Sequence, residues 1–175
     1  MEYNTADKQN KECVFMTIDK VRVFLSERGF GDRLHETPVS SATVELAAAA
    51  LGVEPARIAK TLSFLVKDKV VLIVAAGNAR IDNRKFKDFF GTKAKMLPAE
   101  DTERLTGNAA GGVCPFLAPE GVEVWLDETL HAWDVVYPSG GNDASGVELT
   151  PAELEQLCSP MGWLDVCKLP EPAAE

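Results

Sequence analysis

Apolar positions along the chain change period several times, and each change predicts an element. Over 14–30, Ile18, Val21, Phe24 and Leu25 recur at helical spacing and Gly29 and Gly31 mark the stop, which predicts an amphipathic first helix. After a short segment holding Leu34 and His35, Thr43 is placed to cap a second helix. That helix has Glu45 in its first turn, a body over 46–51 and Gly52 as its terminator. Pro55 opens one more short helical turn. The period then becomes that of strands. Segments 60–66 and 70–76 are rich in β-formers and flank the polar turn 67–69, so they predict a hairpin at the core.

The pattern next predicts a basic amphipathic helix over 82–90 and a short strand over 93–97. Pro98 and Pro151 each stand where a first helical residue belongs, and Thr150 with Glu153 spells a capping box. Two glycine-rich turns, 106–115 and 138–146, interrupt the second half, with strand-like sequence at 122–126 and 133–136. No repeat and no linker divides the chain. Short strands mixed with helices, without regular βαβ alternation, predict an α+β fold: a single compact domain on a mixed sheet. We expect that domain over 13–168, with flexible ends at 1–12 and 169–175.

A length of 175 residues suits one domain with a sizeable core. The apolar runs are too short to cross a bilayer, and the polar start lacks the basic-then-apolar pattern of a secretory signal. The expectation is a cytoplasmic protein with no membrane partner. Cys13, Cys114, Cys158 and Cys167 form no Cys-x-x-Cys pair and read as free thiols. With His35 and His131 as the two histidines and no metal-binding motif, neither a metal nor another cofactor is expected.

The net charge of −9 argues against a protein that holds nucleic acid by bulk electrostatics. The charge is uneven, however: residues 120–175 carry twelve acids and one base. The basic excess gathers at Arg80, Arg84, Lys85, Lys87, Lys93 and Lys95. This is the place where a phosphate backbone could dock, although the residues by themselves read first as a solvated helix face.

Strand period sets Lys60 in phase with Leu62, Phe64 and Val66, with Thr61 and Ser63 on the opposite side. A lysine on an apolar face at a strand end either reaches solvent or works inside a pocket. The pairs Gly111-Gly112 and Gly140-Gly141 permit close backbone approach, so their N–H groups could hold an anion as well as form ordinary turns. Neither segment has the spacing of a Walker loop or a dinucleotide fingerprint. A Cys114–His131 nucleophile and base is conceivable, although nothing local distinguishes Cys114 from a small buried thiol.

Three segments together carry a resemblance: AKTL over 59–62, LTGNAAGGVCPF over 105–116, and YPSGG over 137–141 followed by VEL over 147–149. Their order and separation resemble the YbaK family of aminoacyl-tRNA deacylases, related to the editing insertion of bacterial prolyl-tRNA synthetases. The likeness runs over about 21–168. It implies a mixed sheet or partly closed barrel wrapped by helices, and hydrolysis of the ester that joins a wrong amino acid to the terminal ribose of tRNA. The family's essential lysine falls on Lys60, the expected catalytic residue. Substrate-binding positions fall on Thr61, Gly111, Gly112, Val113, Ser139, Gly140 and Gly141. Relatives that clear cysteine from proline tRNA carry an aspartate seven residues after that serine, where this chain has Gly146. They also carry aromatic pocket residues that ungapped counting sets at Leu34 and Thr43.

Under this resemblance an activated ester needs no protein nucleophile and no metal. Lys60 would hold the ribose or its phosphate, the glycine turns the ester carbonyl, and a ribose hydroxyl or water the proton. The implied partner is mischarged tRNA, with proline tRNA and an aminoacyl-tRNA synthetase as candidates, docked over Arg80, Arg84, Lys85 and Lys87. The alternative is a noncatalytic module that binds aminoacyl-tRNA or a synthetase. The amino acid, the tRNA and the oligomeric state stay open.

Overall fold

The computed structural model describes residues 17–172. The expected flexible end at 1–12, the Cys13 thiol, the first turn of the helix expected from residue 14, and residues 173–175 lie outside the described residues. Five α-helices are described: α1 Thr17–Glu27, α2 Val44–Leu51, α3 Asn83–Phe90, α4 Ala99–Thr106 and α5 Pro151–Cys158. The strands are β1 Leu34–Glu36, β2 Ile58–Val66, β3 Lys69–Ala76, β4 Arg80–Ile81, β5 Glu123–Asp127, β6 Tyr137–Pro138, β7 Ser145–Val147, β8 Gly162–Leu164 and β9 Cys167–Lys168.

The hairpin forms as the β-former runs predict. β2 and β3 pair antiparallel from Ala59↔Ala76 to Val66↔Lys69, across a two-residue turn in which Lys67 adopts φ 55°. The turn is one residue shorter than the polar run suggested, because Lys69 joins β3 and reaches Glu123 at 2.9 Å. The hairpin is the centre of a five-stranded sheet in the order β6-β2-β3-β5-β8. The β6–β2, β3–β5 and β5–β8 pairs are parallel, so the sheet is mixed, and it curls into a half-barrel. Two short antiparallel pairs, β1–β7 and β4–β9, flank it.

β3 is covered on both faces, which explains its unbroken apolar run. Leu72 and Val74 pack into one cluster with Val21 and Leu25 of α1, Leu126 of β5 and Leu154 of α5. Val71, Ile73 and Ala75 point into the other, with Phe64 of β2, Phe86 of α3, and Leu164 and Val166.

The caps follow the sequence. Thr43 accepts the Leu46 N–H at 3.2 Å and Gly52 closes α2 at φ 70°. The Asp82 side chain caps α3 by accepting from Arg84 and Lys85, and Thr150 and Glu153 complete the box at α5. Two expected strands do not form. Residues 93–97 run beside β2 through two backbone bonds, Leu65 N–H to Lys95 O and Leu97 N–H to Ser63 O, which amount to a single bridge at Met96. Segment 133–136 leaves a 3₁₀ turn at Glu128–Ala132 and pairs only where Val136 bridges Leu149. Pro98 is the N-cap of α4, one position earlier than expected.

Candidate active site

A cavity of about 350 Å³ opens between the start of α2, β2, the start of α4 and the two glycine-rich loops. Lys60, Thr61, Thr43, Gly111, Val113 and Ser139 line it, as do Ser63, Thr102, Tyr137, Asn142 and Ser145, which sequence reasoning did not single out. Among the described residues Lys60 is the sole charged one on its wall, and no histidine, cysteine or carboxylate lines it.

Lys60 leaves β2 towards the far end of the hairpin. Its Nζ donates to Gly77 O at 3.1 Å and to Ala79 O, carbonyls that follow β3. Gly77 has to be glycine for this loop to pass, since a Cβ there would lie 2.0 Å from Pro55 O. Two carbonyls use two of the three ammonium donors and leave one for a ligand. Burial pulls the Lys60 pKa below its usual 10.5; Cys167 and Glu45 act against that pull and the nearby Arg80 charge adds to it.

The glycine loops are joined back to back. Ser139 Oγ lies 2.9 Å from Asn142 O and 3.3 Å from Gly112 O, and accepts the Gly141 N–H at 3.2 Å. A Cβ on Gly112 would sit 2.9 Å from the Asn142 carbonyl carbon, so this close approach demands a glycine. Gly111 adopts φ 87°. Ser139 is thus a latch between loops.

The remaining expected positions stand behind the wall. A Cβ on Gly140 would meet Leu34 Cδ1 at 2.5 Å, which places Leu34 under that loop. Gly146 backs onto Leu51, whose Cδ1 would lie 2.7 Å from an added Cβ. Leu51 itself lines the cavity, so it fills the space above Gly146. Gly112, Gly140 and Gly141 shape the loops without forming the lining.

Cys114 is 2% exposed, and its thiol lies near Asn108 Oδ1 and Phe116 O, with burial pushing its pKa up to about 11. His131 stacks on Trp163 at the surface, 3.6 Å from Glu128. A protonated thiol with those neighbours is not an activated nucleophile. Among the described residues no group of three or more His, Cys, Asp or Glu side chains is arranged to hold a metal ion, and no helix is long and apolar enough to cross a membrane.

The basic segment begins where the Lys60 anchor ends. Arg80 follows Ala79 and is exposed, as are Arg84 and Lys87 on α3; neither of these two forms an ion pair among the described residues. Lys85 is committed to Asp165 at 2.8 Å and to Cys167 O at 3.2 Å.

Comparison with known proteins gives this arrangement a family. Residues 39–157 match the model of the aminoacyl-tRNA editing domain. Uncharacterized protein YwhH of Bacillus subtilis (strain 168) is 44% identical over 154 residues, covering 87% of this chain and 98% of that one. The proline–tRNA ligase of Limosilactobacillus fermentum (strain NBRC 3956 / LMG 18251) is 30% identical over 107 residues, 58% of this chain and 18% of the ligase. The crystal structure of a candidate trans-editing enzyme for prolyl-tRNA synthetase superposes with a TM-score of 0.77 at 31% identity, covering 87% of this chain and 97% of that one. The chain therefore belongs to the aminoacyl-tRNA editing domain family, of the YbaK type, with a relationship to the matching portion of proline–tRNA ligases.

Proposed function

We propose that the protein is a trans-editing hydrolase that deacylates mischarged aminoacyl-tRNA, and that Lys60 is its catalytic residue. The observation that carries this reading is the isolation of Lys60: one tethered cation in a cavity walled by hydroxyls, small apolar groups and glycine backbone. The esterified end of a tRNA suits such a site. Water adds to the ester carbonyl, the tetrahedral oxyanion collapses, the bond to the ribose oxygen breaks, and that oxygen takes the proton. Among the described residues no histidine or carboxylate on the wall stands ready to take this proton, so a ribose hydroxyl or a bound water carries it. The Lys60 ammonium, with its free donor, steadies the ribose or the developing negative charge; the Gly112 N–H is committed to Ala109 O, which leaves the N–H groups of its neighbours in the glycine loop as the backbone donors for the carbonyl. Preorganised donors of this kind are worth about 100- to 1000-fold each in rate.

The acceptor stem approaches over Arg80, Arg84 and Lys87, since the acidic remainder of the surface repels a polyanion. Such a substrate places the protein in the cytoplasm with the translation machinery. The test is a panel of mischarged tRNAs, proline tRNA included. Turnover by the wild-type protein that disappears in Lys60→Ala supports the reading. Tight binding without turnover assigns the fold to a noncatalytic module instead.

A further inference from the structure

Two hydroxyls on the cavity wall have no hydrogen-bond partner: Thr61 Oγ1 and Ser145 Oγ. Among the described residues the only other buried side-chain atom in that condition is Arg57 Nε, so the unmet hydrogen-bonding capacity is concentrated on this wall. Four neighbouring hydroxyls are already committed. Ser41 donates to Asp143 O, Thr102 to Pro98 O, Thr43 caps α2 and Ser139 latches the loops. Ser145 is 6% exposed and is held in β7 opposite Glu36. A buried hydroxyl without a partner bears its full desolvation penalty, and retaining two on one cavity is explained when a ligand supplies the partners.

We propose that Thr61 and Ser145 select the acyl group, so that the pocket prefers a small amino acid carrying a side-chain hydroxyl, seryl or threonyl, over alkyl groups of similar size. This rests on the deacylase reading above. A hydroxyl both donates and accepts, so a ligand hydroxyl can pair with either of these residues whichever role its side chain takes. An alanyl group leaves both unpaired, and a thiol is a weak donor and a weak acceptor. The rest of the lining, Ala47, Ala59, Val113 and Leu51, suits the carbons of the ligand and discriminates weakly among them. No carboxylate on the wall receives a basic side chain.

The experiment measures single-turnover deacylation of seryl, threonyl, alanyl, cysteinyl and 2-aminobutyryl esters, each on proline tRNA and on a cognate tRNA where one exists. The proteins compared are wild type, Thr61→Val, Ser145→Ala, the double variant and the conservative Thr61→Ser. Expected is a seryl-to-alanyl rate ratio of about tenfold or more in the wild type, well above the effect of one methylene in an apolar pocket. Each single variant should lower that ratio, the double variant should bring it near one, and Thr61→Ser should keep it. The single variants should also melt no lower than wild type, since each loses an unpaired polar group. Equal losses on seryl and alanyl esters would make these hydroxyls general oxyanion donors and overturn the proposal. A wild-type preference for alanyl or cysteinyl esters would overturn it too, while leaving the deacylase reading intact. Hydrolysis of none of the esters overturns both.

Discussion

Replacing Lys60 with alanine tests the chemistry and the packing together. The substitution removes the one cation on the cavity wall and strips the Gly77 and Ala79 carbonyls of their shared donor. Both residues are buried. An unpaired buried carbonyl costs about 1–3 kcal/mol, reduced where water enters, and this cavity is open enough to admit water. Losing a partly desolvated charge works in the opposite direction. The net expectation is about 1–3 kcal/mol of destabilisation, at roughly 2–4 °C of Tm per kcal/mol for a domain of this size. The chemical loss is larger: about 3–4 kcal/mol of transition-state stabilisation, on the order of 100- to 1000-fold in rate. Single-turnover deacylation well below the melting transition, with protein in excess, separates the two effects. Lys60→Arg should recover little, because a planar fork does not place one point charge between two carbonyls. If the alanine variant deacylates within about threefold of wild type while folded, Lys60 has no part in the reaction and the mechanism fails.

The pH profile gives a second check. Burial sets the Lys60 pKa below 10.5, so the rate advantage of wild type over Lys60→Ala should shrink as pH rises through that lowered value, after correction for spontaneous ester hydrolysis. Stability should move the opposite way. Between the folded and unfolded pKa values the unfolded chain holds more protons, so wild type should gain stability relative to Lys60→Ala as pH climbs towards 10.5, as read by denaturant titration. Reversing Arg84 and Lys87 to glutamate should weaken tRNA binding and flatten its log–log salt slope by roughly 0.7–0.9 for each phosphate no longer neutralised, while sparing a minimal aminoacyl-adenosine; unchanged binding would make this helix face merely solvated. Cys114→Ser should keep most activity and lose about 1 kcal/mol of stability, and a trapped acyl adduct on Cys114 would refute that expectation.

Elements with their own local chemistry were legible from the sequence. Thr43 and Gly52 bound α2, Thr150 and Glu153 begin α5, and the two β-former runs meet as a hairpin, because caps and strand propensity act within a few residues. Segments 93–97 and 133–136 mislead because a strand requires a neighbour along its whole length, and each of these meets its partner at one bridge. The cavity divides in the same way. The family motifs bring Lys60, Thr61, Gly111, Val113 and Ser139 to the wall. Gly77 and Ala79 escaped notice because they hold Lys60 through main-chain carbonyls, which leave no side-chain signature. Ser145 is an ordinary strand serine until the absence of a partner for its hydroxyl is seen. Leu34 and Gly146, set by counting along the chain, lie behind the lining: Leu34 packs under the Gly140 loop, and Leu51 occupies the space above Gly146.

The tether of Lys60 to the end of its own hairpin also bears on how the protein is made. Its anchors lie within nineteen residues of it, whereas Ser145 follows Ala79 by sixty-six residues. At a synthesis rate of about 5–20 residues per second, the cation and its carbonyl clamp emerge from the ribosome roughly 3–13 s before the last hydroxyl of the pocket. By the proposed mechanism, a growing chain on the ribosome carries the charge through this interval with at most the first of the two glycine loops that would present an ester to it. On that mechanism such a chain would be inert towards the charged tRNAs crowded around it, with hydrolysis waiting on the second loop.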